Sequence, residues 1–174
     1  SICLAALAKI NNRPEVALVI RNAQEYIKNS QWRHGMTDPK GATVDENHPF
    51  YGGIGYGKHG RPDMSNLQLA LEGLYESGVD CNDPVFQRAM VYISRLQGLE
   101  SNKMFGKQIE PTGGSIYATS INKEQIGVPQ SFAGSYTDAD GQTRLRATGS
   151  MTYAMPKSYV YANLNRDDER VTAA

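Results

Sequence analysis

Between Val85 and Gln97 the apolar residues fall at Val85/Phe86, Ala89/Met90, Tyr92/Ile93 and Leu96, with mostly polar side chains between them. Spacing of three and four places these side chains along one stripe of an α-helix. Asp83 and Pro84 stand just ahead. The first offers an acceptor to the free N–H groups of the opening turn, and the second lacks an N–H where none is needed. The same pattern runs through Val16, Val19/Ile20, Ala23 and Tyr26/Ile27, and again through Met64, Leu67, Ala70/Leu71 and Leu74. Gly78 follows the latter and suits a left-handed cap. Three helices are predicted.

The segments also repeat one another. Ala23-x-x-Tyr26-Ile27-x-x-x-Gln31 returns as Ala89-x-x-Tyr92-Ile93-x-x-x-Gln97. Gly78 precedes Asp83 by the same interval as Asn163 precedes Asp168. A further helix around Met151 to Ala162 is therefore predicted to pair with one starting at Asp168. The chain reads as one domain over 1–174, with helical hairpins at about 1–31, 63–97 and 147–174. Paired-helix repeats bury their faces against neighbours, in a superhelix or a closed ring. SICLAALAKI reads as the tail of a helix already under way, and DDERVTAA as a helix start cut short. Both ends point to a piece of a longer chain.

Between the hairpins lie two long, Gly-rich, polar connections, Trp32 to Pro62 and Gly98 to Arg146. Loops of this length carry a functional or packing role. Thr112 to Ser120 is expected to supply one short strand.

Gln31-Trp32, at the end of its Ala-x-x-Tyr-Ile helix, resembles the QW repeat of squalene–hopene cyclases. Phe50-Tyr-Gly-Gly-Ile-Gly-Tyr-Gly57, followed by Pro62-Asp-Met-Ser-Asn-Leu-Gln-Leu-Ala-Leu-Glu-Gly-Leu74, is similar to the prenyltransferase/squalene-oxidase repeat proteins of that terpenoid cyclase-like superfamily. Thr148-Gly-Ser-Met-Thr-Tyr-Ala154 fits them as well. The resemblance covers most of Asn22 to Val171. It implies an all-α fold, helical hairpin repeats of an α/α toroid, here a partial one with long Gly-rich loops. Missing sequence or a second copy in a homo-oligomer would complete the ring. It also implies a large apolar ligand such as an isoprenoid, or a polymeric one. Two departures stand out. Pro156 falls inside the predicted third-repeat helix, where a proline costs about 3 kcal/mol unless the helix bends or starts there. Gln97 is followed by Gly98 rather than tryptophan.

Several motifs invite a chemical reading. Gly55-Tyr-Gly-Lys-His-Gly60 matches the letters of a dinucleotide fingerprint, which needs a strand before it and a helix opening on the pyrophosphate. His48-Pro49 and Arg61-Pro62 flank it instead, so it is expected to be a glycine turn crossing a helix end, with Tyr51 and Tyr56 packing. No cofactor is implied. The cyclases protonate an alkene with the aspartic acid of a D-x-D-D motif. Here Asp138-Ala139-Asp140 ends in Gly141, so a turn or hairpin tip is expected, with a carboxylate pair that binds substrate or cation as the alternative. Asp80-Cys81-Asn82 sits in the link between paired helices, and the Asp, Cys and His zinc ligands of prenyltransferases are absent, so no metal is implied. Trp32, Tyr51, Tyr56 and Tyr153 are the candidates for a substrate surface, since aromatic faces stabilise carbocations. Tyr153, on a predicted inner helix, is the one expected to line a cavity. The plain alternative is that these rings pack over helix ends. His34, His48 and His59 are expected to be solvent-exposed.

Composition narrows the field. Eighteen basic and eighteen acidic residues cancel, which gives no general pull toward nucleic acid. No apolar run reaches the roughly 18 residues of a membrane span. Two cysteines, Cys3 and Cys81, leave the compartment open, periplasmic or peripheral to a membrane included. Three functions remain: a cyclase-like repeat protein binding an apolar or polymeric ligand; a noncatalytic protein- or glycan-binding scaffold; and a squalene cyclase whose catalytic half lies elsewhere. The incomplete acid motif favours the second, and whether the chain is an enzyme is left open.

Overall fold

The computed structural model describes residues 1–10 and 13–174. Its helices are α1 (Ile2–Ala8), α2 (Pro14–Ser30), α3 (Met64–Glu76), α4 (Pro84–Leu96), α5 (Gly149–Tyr161) and α6 (Glu169–Thr172). Prolines open α2 and α4. The carboxylates of Asp63, Asp83 and Asp168 accept backbone N–H groups at the starts of α3, α4 and α6. Gly78 and Asn163 both adopt left-handed φ, +88° and +53°, after α3 and α5. The paired caps seen in the sequence thus mark equivalent turns. α5 continues through Pro156 instead of starting there.

α3 packs on α1 along one side and on α5 along the other, while α2 lies against α1 and α4 against α3. Leu67, Leu71 and Leu74 of α3 meet Phe86, Ile93 and Leu96 of α4 and Met155 and Tyr159 of α5 in one core. A second, smaller core of Trp32, Val44, Phe50 and Tyr51 forms within the first connection.

The expected all-α toroid is not what the chain forms. Two antiparallel ribbons make the fold a mixed one, built from β1 (Ala118–Thr119), β2 (Pro129–Gln130), β3 (Ser135–Thr137) and β4 (Thr143–Leu145). β1 pairs with β2, Ala118 opposite Gln130, inside the stretch expected to hold a strand. β3 and β4 pair with Tyr136 opposite Arg144. Their turn closes through Gly141 N–H to the Asp138 carbonyl, with Gly141 at φ +77°. Strands this short and largely solvated show no apolar alternation that could announce them.

Two buried glutamines tie the connections to the helices. Gln31, just after α2, donates to the carbonyls of Gly52 and Val85, both at 2.9 Å. Gln97, just after α4, donates to those of Gly113 and Arg170, at 3.0 and 2.9 Å. Val85 and Arg170 each stand two residues past a capping aspartate, so both amides grip the same turn of the following helix. Gly52 and Gly113 are equivalent too. A Cβ on Gly52 would lie 1.8 Å from the Arg88 carbonyl oxygen, and one on Gly113 1.7 Å from that of Ala173. The repeat is therefore structural as well as sequential.

Candidate functional site

Gly55 to Gly60 form a tight crossing. A Cβ on Gly55 would meet the Arg61 carbonyl oxygen at 1.9 Å, and one on Gly60 that of Tyr56 at 2.0 Å. Gly55 bridges to Pro62, and α3 opens only at Met64. The glycines serve this close approach of backbone, and the Asp63 carboxylate already occupies the first turn of α3 by accepting the Asn66 N–H. Trp32 seals the crossing by donating its indole N–H to the Gly60 carbonyl at 2.9 Å. Tyr51 is buried, as a packing role demands, but Tyr56 is 80% exposed and packs little.

Of the three histidines only His34 is exposed; His48 and His59 are half-buried, contrary to expectation. His59 has φ +59° and lies 5.7 Å from the Trp32 ring. Burial, then Lys58 and Arg33, hold its pKa below the ordinary value. His48 accepts the Phe50 N–H at Nδ1 and faces the buried Asp38 carboxylate through Nε2 at 3.3 Å. Asp38 also takes the N–H groups of Lys40 and Ala42, which fixes the loop. Arg95 reaches in from α4 to the carbonyls of His48 and Glu46. Asp38, His48 and Arg95 are spent on holding one connection in place, while His59 Nδ1 is buried without a hydrogen-bond partner.

Asp138 and Asp140 lie at the β3–β4 turn. Asp138 accepts the N–H groups of Asp140 and Gln142, and its other oxygen meets Arg144 Nε at 2.7 Å. The Arg144 hydrogen bond holds the Asp138 pKa below the ordinary carboxylate value. An alkene-protonating acid needs the opposite shift, produced by burial without a cation. Tyr153 sits on α5 where the sequence places it, yet it is 85% exposed. Trp32 is packed at 5.2 Å on Phe50 in the small core. The four aromatic candidates are not brought together around a common cavity.

A cleft of about 520 Å³ lies beside α4, the turn at 101–104 and the start of α6. Met90, Val91, Ser94, Asn102 and Arg170 line it, and none of the aromatic candidates does. Arg170 is paired with Asp168 at 2.6 Å. Among the described residues, no group of three or more His, Cys, Asp or Glu side chains is placed to hold a metal, and no helix is long and apolar enough to cross a membrane.

A different surface escaped sequence reasoning. Phe132, just past β2, is 70% exposed and stacks on Tyr117 at 4.6 Å between ring centres. The Arg61 guanidinium lies 5.5 Å from the Tyr117 ring, and the Ser65 hydroxyl 3.3 Å from the Tyr117 hydroxyl. Beside it, Ser131 donates to the Arg146 carbonyl, and the Arg146 guanidinium lies 5.0 Å from the Tyr136 ring. Aromatic and cationic residues distant in sequence thus meet in two cation–ring pairs, which spacing along the chain does not show. Comparison with protein-family models, with curated proteins and with solved structures found no match to this chain.

Proposed function

We propose that the chain is a noncatalytic repeat scaffold that holds a polymeric ligand on its surface. The observation that carries this reading is the setting of Asp138: solvated, turn-capping and ion-paired with Arg144. A carboxylate so held stays ionised and donates no proton at neutral pH. The scatter of Trp32, Tyr51, Tyr56 and Tyr153 between small core and solvent points the same way, since carbocation chemistry needs aromatic faces around one dry space. The recurring glutamine grip supports a structural unit repeated within the chain, as a scaffold would use. Fold alone assigns no chemistry.

The test is incubation of the full chain with squalene, with product analysis, beside affinity electrophoresis through gels containing soluble polysaccharides. Retardation by a polysaccharide with squalene recovered unchanged is the expected outcome. A cyclised product, abolished by Asp138→Asn, would overturn the reading.

A further inference from the structure

We propose that the surface formed by Arg61, Tyr117, Phe132, Tyr136 and Arg146 binds an acidic oligosaccharide of the uronate class. The proposal rests on the scaffold reading and names its ligand. An exposed phenylalanine, tilted by 42° against Tyr117, leaves apolar ring surface open to water, and the C–H faces of a sugar ring cover such a surface without requiring a deep pocket. Arg61 and Arg146 each lie over a tyrosine ring, Arg61 over the same Tyr117 that Phe132 packs on. Among the described residues no carboxylate comes within 4.0 Å of either guanidinium, whereas Arg144 and Arg170 nearby in sequence both have one. The planar fork of an arginine matches a carboxylate in two parallel hydrogen bonds.

Stacking on a ring also restrains each guanidinium before the ligand arrives, so less side-chain freedom is lost on binding. The Ser65 and Tyr117 hydroxyls add neutral hydrogen-bonding groups of the kind sugar hydroxyls use. The bond from Ser131 to the Arg146 carbonyl links the segment that carries Phe132 to the segment that carries Arg146. Charge decides against the other polyanion that stacks on aromatics. Single-stranded nucleic acid is held by a long cationic track, whereas this surface offers two arginines.

The experiment is calorimetric titration of the full chain with tetragalacturonate, with its methyl ester, and with oligodeoxythymidine. Binding of the free acid, at least tenfold weaker for the ester, is expected. Phe132→Ala and the pair Arg61→Gln/Arg146→Gln, each with an unchanged circular dichroism spectrum, should each weaken it at least tenfold. No binding of tetragalacturonate, equal binding of acid and ester, binding indifferent to both variants, or tighter binding of oligodeoxythymidine would each overturn the proposal. None of these outcomes generates a cyclised product, so each is distinguishable from failure of the scaffold reading.

Discussion

The Tyr159 hydroxyl donates to Gln97 Oε1 at 2.6 Å, in a seam where both side chains are buried. The same amide spends its N–H groups on Gly113 and Arg170, so one side chain joins α5, the second connection and α6. Gln31 does the same one repeat earlier, with Arg88 Nε at 2.8 Å in the place of the tyrosine hydroxyl. What recurs through this fold is a buried amide that satisfies backbone carbonyls on two separate segments at once.

Gln97→Leu keeps the bulk and strands those groups: the Tyr159 hydroxyl and two carbonyls lose their partner. A buried polar group left unpaired costs about 1–3 kcal/mol, so a loss of about 3 kcal/mol or more is expected. Tyr159→Phe strands only the amide oxygen and should cost about 1–2 kcal/mol. Urea unfolding of the two variants checks the order. Equal losses would show that the carbonyl bonds contribute nothing.

Gly52 and Gly35 separate lack of space from backbone strain. Both have positive φ, +85° and +84°, but a Cβ at Gly35 meets nothing, while one at Gly52 runs into the Arg88 carbonyl. Gly35→Ala should cost about 1–2 kcal/mol, the left-handed penalty alone. Gly52→Ala must also push α4 away from the first connection, and at least about 3 kcal/mol is expected. Thermal melts of both variants give the comparison.

The helices were legible because their apolar stripes and caps are local properties, and so was the repeat, because the glutamines recur with their Ala-x-x-Tyr-Ile frame. Burial was not. Tyr26 and Tyr92 occupy the same place in that frame, yet Tyr26 is 59% exposed and Tyr92 fully buried. The difference lies in what packs on them: Tyr92 donates to the Pro62 carbonyl and lies beside Thr119, both distant in sequence. The tip of the β3–β4 ribbon is legible as a turn or hairpin tip from Asp138 to Gly141, but its strands are not, since the flanking residues lack a buried face. The Tyr117–Phe132 stack depends on two segments meeting, and no spacing announces it. Legibility ended where contacts became nonlocal.

Asp168 sets an acid limb. Its hydrogen bonds with the Arg170 side chain bring its pKa down to about 2 from the ordinary 3.8. A folded value below the unfolded one means that the added stability is present above pH 3.8 and lost as pH falls through about 2. Asp168→Asn keeps an acceptor for the Arg170 N–H, since asparagine also caps helices, and removes the titrating charge. Melting temperatures recorded from neutral pH down to that window should fall less steeply for the variant. Parallel curves would mean that the pair with Arg170 adds nothing to the folded state.

At the alkaline end the two most deeply buried tyrosines lead the response. Burial pushes the Tyr92 and Tyr159 hydroxyls well above their ordinary pKa, because a phenolate in a dry interior loses its hydration. Each hydroxyl is also a donor, to Pro62 at 2.7 Å and to Gln97 at 2.6 Å, and ionisation removes the donated proton. In the unfolded chain both ionise near pH 10. Their folded values are the higher ones, so their contribution is complete below pH 10 and declines above it as the unfolded state sheds protons that the folded state keeps. Tyrosinate absorbance should therefore rise in two stages, the second coinciding with loss of the circular dichroism signal. Tyr92→Phe should lower stability at neutral pH and shallow its decline above pH 10, since one of the two linked protons is gone. If all ten tyrosines titrate reversibly in one step while the helices persist, the buried seam that joins α4 and α5 to the connections is not present in solution.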